Sequence, residues 1–391
     1  MAARVGAMGP FPLPAGVAGG GCACGGLRPR WLAAAAAFSS GAVGPASAEA
    51  RGRHGPAAGL ARGWPRPGSG PRAGLARFGG EAGRRDPYAA VPKRYAPPAR
   101  KPVQVINAAA AADGAGKPAP WWVQGGDAAG VEPAVALAPE VGVAMLPHPD
   151  KAATGGEDAY FVELDGSAFG VADGVGGWQN SGVDPALYAR QLMKLAGQFV
   201  VELQREEGGV GVQADPEEAL AKAHVGVRIL GSSTACVAVY HARDGRLRAC
   251  NVGDSGFVLV RGGKMAFRTD IGQHYFNCPL QLAADGGDTA YSGDTYAIEM
   301  RDGDVVVMGT DGLFDNLFDD EVAGEAHRLV CEERVGVTAA AERLAARAQE
   351  RAAQETGSTP FAAGALAEGF QYQGGKMDDI TVLVAHFKRP E

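Results

Sequence analysis

The sequence lacks the residues that several common chemistries require. Its six cysteines include no C-x2-C pair to seat zinc, and none of the four in the body of the chain opens the Cys-x5-Arg loop of a thiol phosphatase. Cys22 and Cys24 lie near the start, while Cys236, Cys250, Cys278 and Cys331 are widely spaced and read as reduced, mostly buried thiols. No apolar run approaches the roughly 20 residues of a membrane-spanning helix. WLAAAAAF, at 31–38, is too short and too late in the chain for a secretory signal. A dinucleotide fingerprint fails because Gln179 stands where Gly174 and Gly176 would need a third glycine. A phosphate-binding P-loop fails as well, because Lys264 and Lys376 are each followed by Met.

Acidic residues are scarce at the start of the chain. Residues 1–100 hold 14 of the 37 Lys+Arg but only 3 of the 44 Asp+Glu, and Glu49 is the first of these acids. An Arg-rich, acid-poor leader crowded with Ala, Gly and Pro reads as an organellar transit peptide or disordered leader. Residues 101–134 stay rich in Ala, Gly and Pro and read as a linker, with Trp121 and Trp122 placed to dock on the domain after it. The remainder, 135–391, is acidic and long enough for one large core. Its charge argues against nucleic-acid binding, which calls for a basic face.

Within that body, strand signals dominate. DAYFVEL (158–164) and SAFGVAD (167–173) flank Asp165-Gly166, a hairpin signature. STACVAVYH and RLRACNVGD flank Asp244-Gly245; GFVLVRGG, KMAFRT, TYAIEM, DVVVMGTDG and the closing DDITVLVAHF continue the series. Helical periodicity falls between them: 185–207, with Leu187, Leu192, Leu195, Phe199 and Leu203 as its apolar face, then PEEALAKAHVGVRI, DDEVAGEAHRLVCEER and VTAAAERLAARAQERAAQE. Hairpins alternating with helix pairs predict antiparallel sheets covered by helices.

What stands out is where the acids sit. Glu157 and Asp158, Asp173, Asp254, Asp311 and Asp315, and Asp378 and Asp379 all lie at the mouth of an apolar run or in a glycine turn. Converging carboxylates raise one another's pKa unless cations compensate, so such a group points to a metal site or an acid/base pair. Oxygen ligands without His or Cys neighbours favour hard cations, Mg²⁺ or Mn²⁺.

In order and wording, GEDAYF, FGVADGVGGW, GSSTAC, NVGDSGFVLVRGG, HYFNCPLQL, GTDGLFDN and GGKMDDITV resemble the metal-dependent type 2C Ser/Thr protein phosphatases, and most closely their organellar subfamily. The resemblance covers about 141–387. It implies an α+β fold, a four-layer αββα sandwich of two antiparallel β-sheets flanked by helix pairs. It also implies hydrolysis of phosphoserine and phosphothreonine in a phosphoprotein substrate by a hydroxide bridging two Mn²⁺ or Mg²⁺ ions. The residues carrying that chemistry would be Asp173, Asp311 and Asp378. Asp173 would bridge the two ions, Asp311 and Asp378 would hold the first, and the Gly174 carbonyl with Glu157 would reach the second. Asp254 and Asp315 match acids that bind a weaker third ion.

Three positions depart from the family pattern. Val175 stands where many members have a His proposed to protonate the leaving group. Ala153 falls on the phosphate-binding Arg, leaving Lys151 or nothing in its place, and Asp379 replaces a frequent Asn, adding negative charge that would tighten metal binding. His274 is a candidate substitute acid, weighed against an ordinary loop histidine. A metal-binding pseudophosphatase that scaffolds a phosphoprotein stays open as the alternative, with a two-metal nuclease more distant. The expected state is a monomer without a transmembrane span. Such a leader suits either chloroplast or mitochondrion; HPDKAATGGEDAYF and HYFNCP resemble the chloroplast branch, so the chloroplast is the expected location and the mitochondrion the alternative.

Overall fold

Residues 100–106, 136–206, 214–284 and 286–390 are described by the computed structural model. The chain divides into Met1–Leu60 and Ala61–Glu391, and every described residue belongs to the second unit. The leader up to residue 99, including Cys22 and Cys24, and the Trp121–Trp122 pair lie outside the described residues.

In chain order the strands are β1 (Gln104–Ile106), β2 (Ala138–Leu146), β3 (Asp158–Val162), β4 (Ala168–Asp173), β5 (Ser232–Ser233), β6 (Ala235–His241), β7 (Arg246–Val252), β8 (Gly256–Arg261), β9 (Lys264–Arg268), β10 (Gln273–Tyr275), β11 (Cys278–Pro279), β12 (Leu282–Ala283), β13 (Asp294–Glu299), β14 (Val305–Gly309) and β15 (Ile380–Lys388). The helices are α1 (Pro185–Glu206), α2 (Pro216–Gly226), α3 (Asp311–Phe314), α4 (Asp319–His327), α5 (Val337–Ala352) and α6 (Pro360–Ala367). One sheet runs β1-β13-β7-β6-β4-β3 and the other β2-β15-β14-β8-β9.

Residue alternation explains the layering. On β4, Phe169 and Val171 face the second sheet, while Ala168 and Ala172 face α1 and α2. On β14, Val306 and Met308 point inward, and Val305 and Val307 meet the opposite helix layer. The same split recurs along β6, β8 and β15, so every central strand is buried on both faces. Three apolar interfaces result: helices on sheet, sheet on sheet, sheet on helices. This is the expected αββα sandwich.

Turn chemistry sets the hairpins. Gly166 ends the Asp165-Gly166 turn at φ 69°, a left-handed conformation that glycine adopts without a Cβ penalty. Asp165 Oδ1 accepts the Ser167 amide at 2.9 Å, closing the same turn. The β3–β4 pair it joins is antiparallel and places Asp158 directly opposite Asp173.

The structure departs from the sequence reading in several places. Gln104–Ile106, inside the stretch read as linker, adds a parallel edge strand along Tyr296–Ile298 of β13. Lys101 Nζ holds its approach by pairing with Asp294 Oδ1 at 2.9 Å. On α1, Leu192, Phe199 and Leu203 are buried and Leu195 packs partly against them, but Leu187 is 44% exposed because it lies off the sheet-facing side. Two short helices, α3 and α6, are additions to the four that periodicity marks. The cysteine reading holds: Cys236, Cys250 and Cys278 are buried, Cys331 is partly buried, and all four are free thiols.

Phe257 is fully buried between the sheets, with its ring edge-on to Tyr296 at 6.3 Å. Phe257→Ala is expected to lower unfolding free energy by about 3–5 kcal/mol, measured by urea denaturation.

Candidate metal centre

Two sheets meet at one end through a buried carboxylate. Asp158 Oδ2 accepts hydrogen bonds from Thr310 Oγ1 at 2.8 Å and Thr381 Oγ1 at 2.7 Å. Thr310 comes directly after β14 and Thr381 lies on β15, so one Asp from the first sheet bonds to two strands of the second. The Thr381 amide returns a bond to Thr310 Oγ1 at 3.1 Å. Around this junction the strand ends deliver Glu157 before β3, Asp173 at the end of β4, Asp254 between β7 and β8, Asp311 after β14 and Asp378 before β15.

Close backbone approach makes that convergence possible. A Cβ on Gly312 would lie 2.0 Å from the Asp379 carbonyl oxygen, so α3 can reach the start of β15 only with glycine there. At Gly174 a Cβ would meet the Glu157 and Pro185 carbonyls at 2.8 and 2.7 Å. Asp311 and Asp315 are one helical turn apart, joined by the Asp315 amide to the Asp311 carbonyl at 2.7 Å, so both carboxylates share a face.

Two ammonium groups stand among the acids. Lys376 Nζ bonds Asp311 Oδ2, lies 2.8 Å from Asp315 Oδ2 and 3.4 Å from Asp378 Oδ2. Lys151 Nζ lies 2.6 Å from Glu157 Oε2, 3.1 Å from Asp379 Oδ2 and 3.9 Å from Asp378 Oδ1. Gln179 Nε2 donates to the other Glu157 oxygen. Despite burial, both lysines are held above their ordinary pKa: Lys151 by Glu157, Asp379 and Asp378, Lys376 by Asp311, Asp315 and Asp378.

Charge compensation is incomplete. Burial, then the neighbouring Asp311, Asp158, Asp378 and Asp254, pushes the Asp173 carboxyl well above the usual carboxylate range. Burial and Asp311 push Asp254 up to about 8, with Lys376 pulling it back. Burial raises Asp315 to about 6, against the pull of Lys376, and burial with Asp311 raises Asp378. Asp254 Oδ1 and Asp311 Oδ1 are buried without a hydrogen-bond partner. Among the described residues no three His, Cys, Asp or Glu side chains already close around one point as a finished ligand set. Glu157, Asp311, Asp315, Asp378 and Asp379 are paired with the lysines. A donor set of carboxylates, with unpartnered oxygens and mutually raised pKa values, nevertheless fits hard divalent cations.

Comparison with known proteins agrees with this arrangement. The family model described as Stage II sporulation protein E (SpoIIE) matches residues 165–388, more than half of the chain. "Probable protein phosphatase 2C 1" of Oryza sativa subsp. japonica is 40% identical over 261 residues, covering 63% of this chain and 75% of its own. The chain belongs to the type 2C protein phosphatase family. "Probable protein phosphatase 2C 55" of Arabidopsis thaliana is 43% identical over 246 residues, which cover 63% of this chain. The chain spans about half the length of that relative, 51%. Among solved structures, the photosystem II phosphatase PBCP is similar with a TM-score of 0.58 and 36% identity, over 64% of this chain and 100% of the other.

Set against the type 2C pattern, all the expected acids lie around one junction, but some do different work. Asp379 is no loose extra charge: it accepts the His148 amide at 2.7 Å and the Glu157 amide at 2.9 Å, besides meeting Lys151. It therefore holds the loop that carries Lys151 and Glu157. Arg190 supports the same loop through the Thr154 and Gly156 carbonyls at 3.1 and 3.0 Å. His274 lies on the exposed strand β10, where it pairs with Asp288 at 2.8 Å. Val175 caps a short 3-10 turn at Gly176–Ser181, bringing no acid. Lys376 and Gln179 figure in the sequence only as reasons to reject nucleotide motifs, yet both reach into the cluster. A lysine inside the acid-dense GGKMDDITV is the available signal for the first; nothing local marks the second.

Raised carboxylate pKa values fix the sign of a pH effect. Folded Asp254 (about 8) and Asp315 (about 6) keep protons that the unfolded chain releases near 4. Their stabilising contribution is full below the unfolded value and is lost as pH rises through the folded values. Thermal unfolding in EDTA is therefore expected to show lower stability near pH 9 than near pH 6. Saturating Mn²⁺ should shrink the difference.

Proposed function

We propose that the chain is a metal-dependent phosphatase that hydrolyses phosphoserine and phosphothreonine in proteins, using Mn²⁺ or Mg²⁺. The observation that carries the reading is the meeting of Asp173, Asp311 and Asp378 from three strand ends in one enclosed, under-compensated cluster. Family membership supports it. On this reading Asp173, Asp311 and Asp378 would hold one ion, and Asp173, Glu157 and the Gly174 carbonyl would hold another. When bound, such ions supply an activated water and neutralise phosphate charge.

The protein's own groups do the rest. Asp158, locked by Thr310 and Thr381, keeps the sheet ends in register, and the Asp173 amide is fixed by Thr234 Oγ1 at 3.1 Å. Asp379 and Arg190 hold the Glu157 loop. Open space around Gly177, where an added Cβ would meet nothing within 4 Å, leaves room for a phosphorylated side chain. Val175 has no proton to give, so water or another group would have to protonate the leaving alkoxide. That lack also favours the second reading, a pseudophosphatase that binds a phosphoprotein without turning it over.

Purified full-length chain with Mn²⁺ is expected to release phosphate from a phosphothreonine peptide. Asp173→Asn should lose more than the roughly 10- to 100-fold typical of an outer carboxylate, the loss Asp379→Ala is expected to show. Peptide binding without phosphate release would instead establish the pseudophosphatase.

The basic leader and the likeness to a photosystem II phosphatase support a chloroplast location, with the mitochondrion as alternative. Residues 1–100 fused to a fluorescent protein are expected to direct it to chloroplasts, scored by imaging.

A further inference from the structure

Lys376 is positioned by its backbone before its side chain reaches any acid. Its amide donates to Asn316 Oδ1 at 3.0 Å, and Asn316 Nδ2 donates back to the Lys376 carbonyl at 2.9 Å. Asn316 is itself fully buried and anchored to the Gly312 carbonyl at 2.9 Å, so this clamp ties Lys376 to the α3 turn that carries Asp311 and Asp315. Upstream, the Gly375 amide bonds the Gln354 carbonyl at 2.8 Å, and a Cβ there would lie 2.2 Å from the Arg351 carbonyl. The chain is thus fitted against the end of α5 immediately before Lys376. The ammonium rests 5.3 Å from the Phe361 ring centroid, an added favourable contact for a cation.

From this fixed base Nζ takes one oxygen of Asp311, one of Asp315 and, at 3.4 Å, one of Asp378. We propose that Lys376 permanently occupies the place a third divalent ion would need, so that this chain binds two ions rather than three. Asp315 Oδ2 is spent on the ammonium, and Asp254 is left as a lone carboxylate. One carboxylate is a poor cation site, and a divalent ion beside a fixed ammonium is repelled. Asp311 can serve both sides, because Oδ2 meets Lys376 while the buried Oδ1 has no partner. The inference rests on the reading that the cluster holds cations, and deepens it by fixing their number.

Counting bound Mn²⁺ tests it without reference to turnover. Full-length chain stripped with EDTA would be titrated with Mn²⁺ while electron paramagnetic resonance reports the free ion. The expected result is two ions for the parent protein and for Lys376→Arg. Lys376→Met and Lys376→Gln, confirmed folded by circular dichroism, should gain a third, and adding Asp254→Asn should remove it again. Three ions in the parent protein would overturn the proposal while leaving the phosphatase reading intact. Two ions in both folded neutral variants would overturn it as well. No Mn²⁺ bound by any form would overturn both.

Discussion

Carboxylates crowded where two sheets meet are the constraint on which the rest of this protein depends. Acids at strand ends repel one another, so the sandwich closes at that end more readily where something supplies attraction. Asp158 supplies part of it in an unusual way. Its Oδ2 is shared by Thr310 and Thr381 from the opposite sheet, while burial raises its pKa well above the ordinary value. A polar group that would be costly alone becomes a cross-sheet fastening when both hydroxyls point at it. The apolar layer between the sheets then sets their spacing, and the fastening sets which strand ends face one another.

Lysine provides the second part. Lys151 and Lys376 approach from loops on opposite sides of the cluster, before β3 and before β15, and each touches acids contributed by more than one element. They convert repulsion among loops into attraction, so the loops are held by the charges that would otherwise drive them apart. Such a site remains electrostatically unsatisfied, as the raised values of Asp173, Asp254 and Asp378 record. A fold stabilised elsewhere by three apolar interfaces can carry that local cost, and the cost is what makes a cation welcome.

How much of this is legible in the sequence depends on the range of each signal. Central strands such as ACVAVYH and ITVLVAHF announce themselves through β-branched runs bounded by Gly and Asp, because sheet burial is a local demand on every residue. Site acids are legible for a related reason: a carboxylate at the end of a buried strand has no packing explanation. β1 is not, since three residues paired only at an edge carry too little pattern to separate from a linker. PFAAGALA hides α6 because small residues on all sides give no apolar stripe, and the helix is fixed by Pro360 and the Thr359 cap. Gln179 and Lys376 act through reach across space, which residue spacing does not encode.

Glu157, Asp173, Asp254, Asp311, Asp315, Asp378 and Asp379 gather at the junction, where, among the described residues, Lys151 and Lys376 form ion pairs with five of them. If all seven were ionised, five negative charges would remain. Two divalent ions would leave a net charge of minus one, and three a net charge of plus one. Asp379 contributes one of these charges, and its carboxylate is engaged by two backbone amides and Lys151. Asp379 and Lys151 are therefore best understood together: the carboxylate holds the ammonium beside Glu157, and each lysine in the cluster offsets one of its negative charges.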